Sequence, residues 1–505
     1  RIEHLISALK TETGEARVNA SYYFGRNPDA APWVGVSNSV RAALDSLPSA
    51  DPAAMQLLLG IAALGVQGDN ARLLHWLRSS PDWRVRVNAA RAMTGRTNDL
   101  RIREGLMDAL KEPSTHVALS AANVLAGVQD LPAKERDDLI SWVEKNPRDW
   151  RRIGPILALL GRMGQGQFLE GWIDIWGEDE VLPRTRGLGA MAFVPSPEAT
   201  GYLMEAAGSS QPRIRATALG GLARRFRAER RTQGTVAEYF RVFSEGLRTG
   251  DPSSVFVCAP ALADSAFLAL GSLDLLMAEY DNLELPDGLE GKQAILRSIG
   301  ATGAQEAEAF LREVSTETND ALRAAGAMAL AGLTGEEAVE GVEAGESVRR
   351  VDWPALQALG PRPKLLLETE KGTVTLVLDA ESAPLTVQTI AGFAQEGLYD
   401  DTPFHRVVPN FVVQGGDFAR GDGFGGPGFS IRSEFTQIPY GRGILGMASS
   451  GKDTEGSQFF ITHSMARHLD GGYTAFGWVE SGMDVVDVLY EETRVLTARV
   501  EAGGG

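Results

Sequence analysis

The chain has 505 residues and a net charge of -17, with 44% hydrophobic and 23% charged residues. A chain of this length is expected to hold more than one domain, and its apolar content is that of an ordinary globular protein with a sizeable core. Both parts of the chain are acidic: residues 361–505 hold 11 Lys and Arg against 19 Asp and Glu (-8), and residues 1–360 hold the remaining 38 against 47 (-9). Nucleic acid is therefore not expected as a main partner, and neither is adsorption to an anionic membrane, because both require a basic surface.

The single cysteine and the hydropathy pattern exclude further classes. Cys258 lies in the apolar segment VFVCAPALA and is expected to be a buried thiol, so neither an intramolecular disulfide nor a thiolate zinc site is predicted. No transmembrane segment is predicted, because no apolar run approaches the roughly 20 residues that a span requires. The sequence begins at Arg1, so a targeting segment that had been removed would leave no trace in it.

A helical unit recurs over most of the chain. Each copy has a short polar turn with Pro or Asp, then Arg or a β-branched residue, then a helix rich in Ala, Leu and Gly. The copies are residues 83–93, 116–125, 150–160, 212–222 and 319–330. Small residues at equivalent positions recur 27 to 41 residues apart, which is the range of two-helix solenoid repeats. Because one helix pair cannot bury its apolar face alone, such pairs are expected to stack into a curved array.

The best copies, residues 84–90 and 212–219, resemble HEAT repeats, and the resemblance extends over about residues 50–335. We therefore predict an all-α HEAT-like solenoid over residues 1–353, in which residues 1–45 are a possible cap. A solenoid of this kind is either a binding surface for a protein partner or a spacer that holds another domain, and the sequence leaves both open.

The composition changes at residues 354–363, PALQALGPRP, which are predicted to be a linker because they hold three prolines and a glycine. Residues 365–369 and 373–378 then read as two strands joined by a glycine turn, and residues 383–394 read as a helix with proline in its first turn.

Three ordered motifs follow. Residues 404–417 read FHRVVPNFVVQGGD; residues 443–451 and 456–462 read GILGMASSG and GSQFFIT; residues 468–479 read HLDGGYTAFGWV. These motifs resemble the signatures of cyclophilin-type peptidyl-prolyl cis-trans isomerases. The resemblance implies a domain over residues 364–503, folded as a closed eight-stranded antiparallel β-barrel with two capping helices, near residues 386–396 and 483–490.

Prolyl isomerisation rotates an amide over a barrier of about 18–20 kcal/mol without breaking a bond, so no nucleophile, metal or cofactor is predicted. A fixed cation near the prolyl nitrogen stabilises the lone pair as it leaves conjugation, and an Arg always carries its charge. The resemblance assigns the catalytic roles to Arg406 as this cation, Gln414 as the residue that orients it, and Phe411 in an apolar cup for the proline ring.

The resemblance also implies a set of substrate-binding residues. These are His405, Val412, Ala448, Ser449, Ser450, Gln458, Phe460, His468, Leu469 and Tyr473. Val412, Phe460 and Leu469 would complete the proline cup, residues 448–450 would offer backbone groups to the substrate, and His405 has no general-base role because the reaction needs none.

Four positions depart from the commonest family pattern: Val412 replaces a usual Met, Ser449 a usual Asn, His468 a Trp and Tyr473 a His that many eukaryotic members carry. His468 and Tyr473 resemble bacterial-type members, and His468 predicts weak binding of cyclosporin.

The favoured function is an active prolyl isomerase that assists protein folding or assembly, with proline-containing client segments as substrates and a protein partner on the repeats. The alternative is a non-catalytic scaffold whose barrel only clamps proline segments. The expected location is the periplasm or cell envelope of a bacterium, with the cytoplasm as the alternative.

Overall fold

The computed structural model describes residues 2–26, 37–177, 179–228, 232–285, 287–335 and 349–503. The chain divides into two compact units, Arg1–Met163 and Gly164–Gly505. The domain bounds expected from sequence, 1–353, 354–363 and 364–503, stay predictions. In the described ranges, no helix is both long enough and apolar enough to cross a membrane.

The first unit consists of helices in two layers. They are α1 (Ile2–Thr11), α2 (Gly14–Arg26), α3 (Ser37–Ser46), α4 (Ala54–Ala63), α5 (Asn70–Ser79), α6 (Trp83–Arg91), α7 (Leu100–Ala109), α8 (Thr115–Leu125), α9 (Ala133–Lys145) and α10 (Trp150–Arg162). The even-numbered helices α2 to α10 each pack against the next even-numbered one, and α1 packs against α3 and α5 against α7. This stacking of helix pairs is the packing expected from the repeats.

Turn residues and small residues explain why these helices begin and pack where they do. The carboxylates of Asp82 and Asp99 accept hydrogen bonds from the backbone N–H of Arg84 and Arg101, so each caps a helix start. A Cβ atom added at Gly105 would overlap the side chain of Leu74 on the neighbouring helix. The small residues of the repeat therefore allow close helix contact.

The second unit begins with further helix pairs. They are α11 (Gly166–Asp174), α12 (Val181–Met191), α13 (Pro197–Ala206), α14 (Pro212–Ala228), α15 (Gln233–Arg248), α16 (Pro252–Leu262), α17 (Ser265–Leu268), α18 (Ser272–Asn282), α19 (Leu289–Ala301), α20 (Glu308–Val314) and α21 (Asp320–Thr334). Helices α12, α14, α16, α19 and α21 pack in series and form one layer. Cys258 is fully buried in α16, as expected, and burial raises the pKa of its thiol.

The rest of this unit is a curled antiparallel sheet with short helices. The strands are β1 (Lys364–Thr369), β2 (Gly372–Leu378), β3 (Thr402–Pro403), β4 (Arg406–Val408), β5 (Val412–Gly415), β6 (Ile444–Met447), β7 (Phe459–Thr462), β8 (Ala475–Ser481) and β9 (Arg494–Glu501). Their order is β3-β9-β1-β2-β8-β6-β7-β5-β4, and every pairing is antiparallel. The hairpin expected near residue 372 is confirmed as β1–β2.

The expectation of a closed eight-stranded barrel is wrong in two respects. The sheet has nine strands, and among the described residues no ladder joins its two end strands, β3 and β4. These strands contain only two and three residues and are separated by Phe404 and His405 alone. Strand β3 includes Pro403, which has no N–H to donate to a neighbouring strand. The chain therefore passes from β3 at one edge of the sheet to β4 at the other edge without a ladder between these two strands.

In the described part of the chain, three α-helices accompany the sheet, α22 (Trp353–Leu359), α23 (Pro384–Gln395) and α24 (Met483–Val486), together with one 3₁₀ helix, Arg467–Leu469. Helix α22 lies in the segment expected to be a linker, and its Leu356 is buried in the core of the sheet domain. Helix α23 lies where a helix was expected, whereas α24 ends four residues before Tyr490. The main core lies between the concave side of the sheet and these helices, and a second, smaller cluster lies at the other side of β5 and β7.

Candidate active site

The pairing of β4 with β5 places a cation beside an amide. Arg406 and Gln414 are partners in this antiparallel ladder, and Arg406 Nη1 donates a hydrogen bond of 3.1 Å to Gln414 Oε1. The Arg406 side chain is exposed. The eight-residue spacing seen in the sequence therefore corresponds to a cross-strand pair that holds a guanidinium at the surface in a defined orientation.

This pair continues into a chain of hydrogen bonds. Gln414 Nε2 donates to Gln458 Oε1 at 3.0 Å, and Gln458 Nε2 donates to the carbonyls of Gly423 and Gly425 at 2.9 and 2.8 Å. Both side-chain amides thus have their orientation fixed by several partners. The structure brings together Arg406, Gln414 and Gln458, and the glycine loop, residues 419–426, supports them.

An apolar cup lies next to this chain. It is the second cluster of the domain and contains the predicted residues Phe411, Val412, Phe460, Leu469 and Tyr473. The ring of Phe411 stacks on His468 with a centroid distance of 5.4 Å, and Phe460 contacts Tyr473 edge to face at 6.0 Å. All predicted cup residues are therefore neighbours, and His468 supports the cup through Phe411.

Sequence reasoning missed Tyr440. Its ring is fully buried and stacks on Phe460 at a centroid distance of 5.6 Å. Tyr440 therefore fixes the ring of Phe460 from behind. Its position in the segment IPYG, just before the second motif, gave no periodic signal by which it could have been found.

The backbone around residues 448–450 is partly engaged within the protein. Ala448 N donates to Gln458 O at 3.0 Å, and Ser450 N donates to Thr454 Oγ1 at 2.9 Å. Ser449 is half-buried in the same rim. The carbonyl of Ser450 accepts a hydrogen bond from Gln293 Nε2 at 3.2 Å, and its hydroxyl donates to Glu290 Oε1. Two residues of helix α19 therefore hold the rim on which a substrate was expected to lie.

His405 is placed away from the cup. It is buried, and a Cβ atom added at Gly423 would lie 3.0 Å from its ring. Burial lowers the pKa of His405, although the charge of Asp417 acts in the opposite direction. Because His405 precedes the exposed Arg406, its side chain points to the other face of the chain, so the structure does not bring it into contact with the cup.

Asp417 organises the glycine loop. Its buried carboxylate accepts hydrogen bonds from the backbone N–H of Arg420, Asp422, Gly423 and Gly425 at 2.8 to 3.1 Å. Burial opposes ionisation, but these hydrogen bonds outweigh it and lower the pKa of Asp417. The final Asp of the first motif, followed by many glycines, was the signal that could have predicted this anchoring.

Contacts from the helix pairs to the sheet domain were not foreseen. Arg186 of α12 pairs with Glu491 at 2.8 Å, and Arg213 of α14 pairs with Glu492 at 2.9 Å. Arg213 also donates to the carbonyl of Gly421 at 2.7 Å. Such contacts arise between residues far apart in sequence, so no local pattern indicates them.

The same loop is held from α16. Arg420 pairs with Asp251 at 2.8 Å, and the rings of Phe256 and Phe424 lie 5.9 Å apart. Burial opposes the charge of Asp251, but hydrogen bonds from Ser253 and Arg420 outweigh it and lower the pKa of Asp251 to about 2. Helices α12, α14, α16 and α19, which we call the facing layer, therefore all contact the sheet domain through their own residues or the residue that caps them.

The site has the chemical parts for binding and polarising an amide: one fixed cation, amide groups, backbone groups and an apolar cup. Across the ranges that the structure describes, no group of three His, Cys, Asp or Glu residues has a metal-binding arrangement.

Comparisons with known proteins match two parts of the chain. The family model described as cyclophilin type peptidyl-prolyl cis-trans isomerase/CLD matches residues 364–501, and a HEAT-repeat model matches residues 70–159. A peptidyl-prolyl cis-trans isomerase of Synechococcus elongatus is 44% identical over 137 residues, which are 27% of this chain and 94% of that protein. Peptidyl-prolyl cis-trans isomerase B of Bacillus subtilis is 46% identical over 123 residues, 24% of this chain and 85% of that protein.

Among solved structures, a cyclophilin type peptidyl-prolyl cis-trans isomerase of Cryptosporidium parvum is 28% identical; the match has a TM-score of 0.27 and covers 28% of this chain and 99% of that one. The relative from Synechococcus elongatus is covered almost completely at well above 30% identity. Through residues 364–501, this chain belongs to the family of cyclophilin-type peptidyl-prolyl cis-trans isomerases.

Proposed function

We propose that the sheet domain accelerates cis–trans isomerisation of peptide bonds that precede proline, with Arg406 as the catalytic cation. Without a catalyst, this rotation takes tens to hundreds of seconds because the amide must leave conjugation. A guanidinium near the prolyl nitrogen stabilises its lone pair in the twisted state more than in the planar state. Such preferential stabilisation is what lowers the barrier.

The single observation that carries this proposal is the chain of hydrogen bonds from Arg406 through Gln414 to Gln458, which lies beside the apolar cup. Phe411, Phe460 and Leu469 grip the proline ring, and the exposed guanidinium of Arg406 reaches the twisting amide. The backbone of Ala448 and Ser449 positions the substrate chain. Because rotation breaks no covalent bond, these residues suffice for the reaction chemically.

We also infer roles for the remaining elements. Val387 and Ile390 of α23 and Val486 of α24 are buried in the main core, which supports the idea that these helices cap the curled sheet. The helix pairs of each unit are proposed to be HEAT-like repeats. In the second unit the facing layer holds the isomerase, and the first unit, with its HEAT match, is proposed to bind a protein partner and so to raise the local concentration of client prolines.

The proposed location is the bacterial periplasm or cell envelope, with the cytoplasm as the alternative. The proposal is supported by the resemblance of His468 and Tyr473 to bacterial-type members. Fractionation of cells that express the native gene, followed by immunodetection, distinguishes the two locations.

A second candidate function is a clamp that binds proline segments without turning them over. It is favoured by the contacts of Glu290 and Gln293 with Ser450, which stiffen the rim of the groove. Exchange NMR on an Ala-Pro peptide separates the two functions. We expect cis–trans exchange to become far faster than in buffer when a small amount of the full chain is added. Binding that shifts peptide resonances without faster exchange would favour the clamp.

A further inference from the structure

A pocket adjoins the candidate active site on the side of the glycine loop. Its walls come from three parts of the sheet domain and from the start of helix α19. The lining includes Gln414 and Gln458, residues 423–430, residues 448–450, and Asp287, Leu289 and Glu290. Gln414, Gln458 and Ala448 line the pocket and also belong to the candidate active site. The pocket is therefore a direct extension of the groove in which the proline is proposed to lie.

We propose that this pocket receives a basic side chain of the substrate, flanking the proline, and that Asp287 and Glu290 of the helical repeats select it. The proposal rests on the isomerase function proposed above and deepens it by naming a substrate class. It makes the facing layer part of the substrate site, so the helices and the sheet domain together determine specificity.

The charges of the pocket carry this proposal. Among the described residues that line it, Asp287 and Glu290 are the charged ones, and none is Lys or Arg. The N-terminal end of α19 contributes about half a positive charge, which two carboxylates outweigh. A Lys or Arg side chain is therefore favoured in the pocket, and a Glu or Asp side chain is repelled.

The acidic wall is fixed in place relative to the groove. Glu290 Oε1 accepts a hydrogen bond from Ser450 Oγ, and Gln293, one turn further along α19, donates to the carbonyl of Ser450 at 3.2 Å. The bond from Ser450 occupies one carboxylate oxygen of Glu290 and leaves Oε2 to accept from a ligand. Asp287, which also lines the pocket, is exposed. Because the wall is already positioned, a substrate cation gains the attraction without first ordering the helix end.

The ratio of kcat/KM for matched peptides tests the inference. Six-residue peptides with one Ala-Pro bond carry Lys or Glu at each flanking position in turn, and exchange NMR with the full chain gives their rates. Affinities of the same peptides are measured by fluorescence anisotropy. We expect Lys to be preferred over Glu by about five- to tenfold at one position, with a preference that falls as salt is added.

The double variant D287N/E290Q is expected to bring this ratio close to one, while Gln at position 290 keeps the hydrogen bond to Ser450. The matched control is Glu284→Gln, which removes an exposed carboxylate of the same segment that does not line the pocket, and it should keep the wild-type ratio. Equal rates and affinities for Lys and Glu peptides in the wild type, or a ratio that survives D287N/E290Q, overturn the inference. Charge-selective binding without any turnover would instead support the inference and contradict the proposed isomerase activity.

Discussion

Gln293 and Ser450, 157 residues apart in the chain, are joined by a hydrogen bond of 3.2 Å from the Gln293 side chain to the Ser450 carbonyl. Gln293 belongs to helix α19 of the repeats, and Ser450 to the rim of the candidate substrate groove. The repeats are therefore in direct contact with the site of the isomerase domain. A repeat that served only as a spacer would need no such contact, so the structure favours a role for the facing layer in how the groove works.

Arg213 is the clearest test of this role. Replacing it with Ala removes the ion pair to Glu492 and the hydrogen bond to the Gly421 carbonyl. Because both partners are partly buried, we expect the local stability of the glycine loop, residues 419–426, to fall by about 1 kcal/mol. This fall would be measured as roughly fivefold weaker hydrogen-exchange protection of the loop. Mass spectrometry of the full chain measures this protection.

The matched control for Arg213→Ala is Arg241→Ala, which removes an exposed ion pair to Glu245 within helix α15. Protection of the loop should not change in this control. Equal protection in wild type and Arg213→Ala would show that the facing layer does not stabilise the loop.

Gly446→Ala is expected to damage the proline cup without touching the substrate. A Cβ atom at this position in β6 would overlap both the Phe460 ring and the Tyr440 hydroxyl, so Phe460 must move. We expect kcat/KM for an Ala-Pro peptide to fall roughly 10- to 100-fold and the free energy of unfolding to fall by about 1–3 kcal/mol.

The control for Gly446→Ala is Gly441→Ala, because a Cβ atom there has no described heavy atom within 4 Å apart from its own chain neighbours. It should leave kcat/KM near the wild-type value. If Gly446→Ala is as active as Gly441→Ala, the position of Phe460 does not control turnover.

The buried carboxyl of Glu455 is expected to make the stability of the folded protein depend on pH. This carboxyl is fully buried, and burial raises its pKa to about 7, although a hydrogen bond from Thr474 acts in the opposite direction. The folded protein therefore holds a proton that the unfolded chain releases near pH 4.5. The stabilisation is full below that pH and is lost as the pH rises to about 7.

Glu455→Gln should remove this dependence. Between pH 5 and pH 8, the urea midpoint of the wild type is expected to fall, by the equivalent of a few kcal/mol at most, while that of Glu455→Gln changes much less. Glu396→Gln, at an exposed position of the same domain, serves as the control and should follow the wild type. Parallel curves for the wild type and Glu455→Gln would contradict a raised pKa.

The sequence could predict the parts of the site that lie within one motif or on adjacent strands. Arg406 and Gln414 come from one motif, and their spacing is that of a cross-strand pair. The repeats were visible because a helix that packs closely on its neighbours needs small residues at regular positions. In both cases the residues that make the tertiary contact are also the residues that form the local sequence pattern, so the pattern indicates the contact.

The rest could not be predicted because it depends on contacts between distant segments. Tyr440 behind Phe460 and Arg213 beside Gly421 have ordinary local surroundings in the sequence. The open edge between β3 and β4 follows from two very short strands around Pro403, whereas a family resemblance gives only the common strand pattern. Burial of Leu356 likewise depends on the sheet core, so the proline-rich segment around it gave the signal of a linker.

The most direct test of the account is the rate of cis–trans exchange at saturating Ala-Pro peptide for the wild type and Arg406→Ala, with the Kd measured on the same samples. If Arg406 stabilises the twisted amide, the variant should turn over at least about 100-fold more slowly, while its Kd changes only a few fold. Equal turnover in the two proteins would contradict the assignment of Arg406 as the catalytic cation.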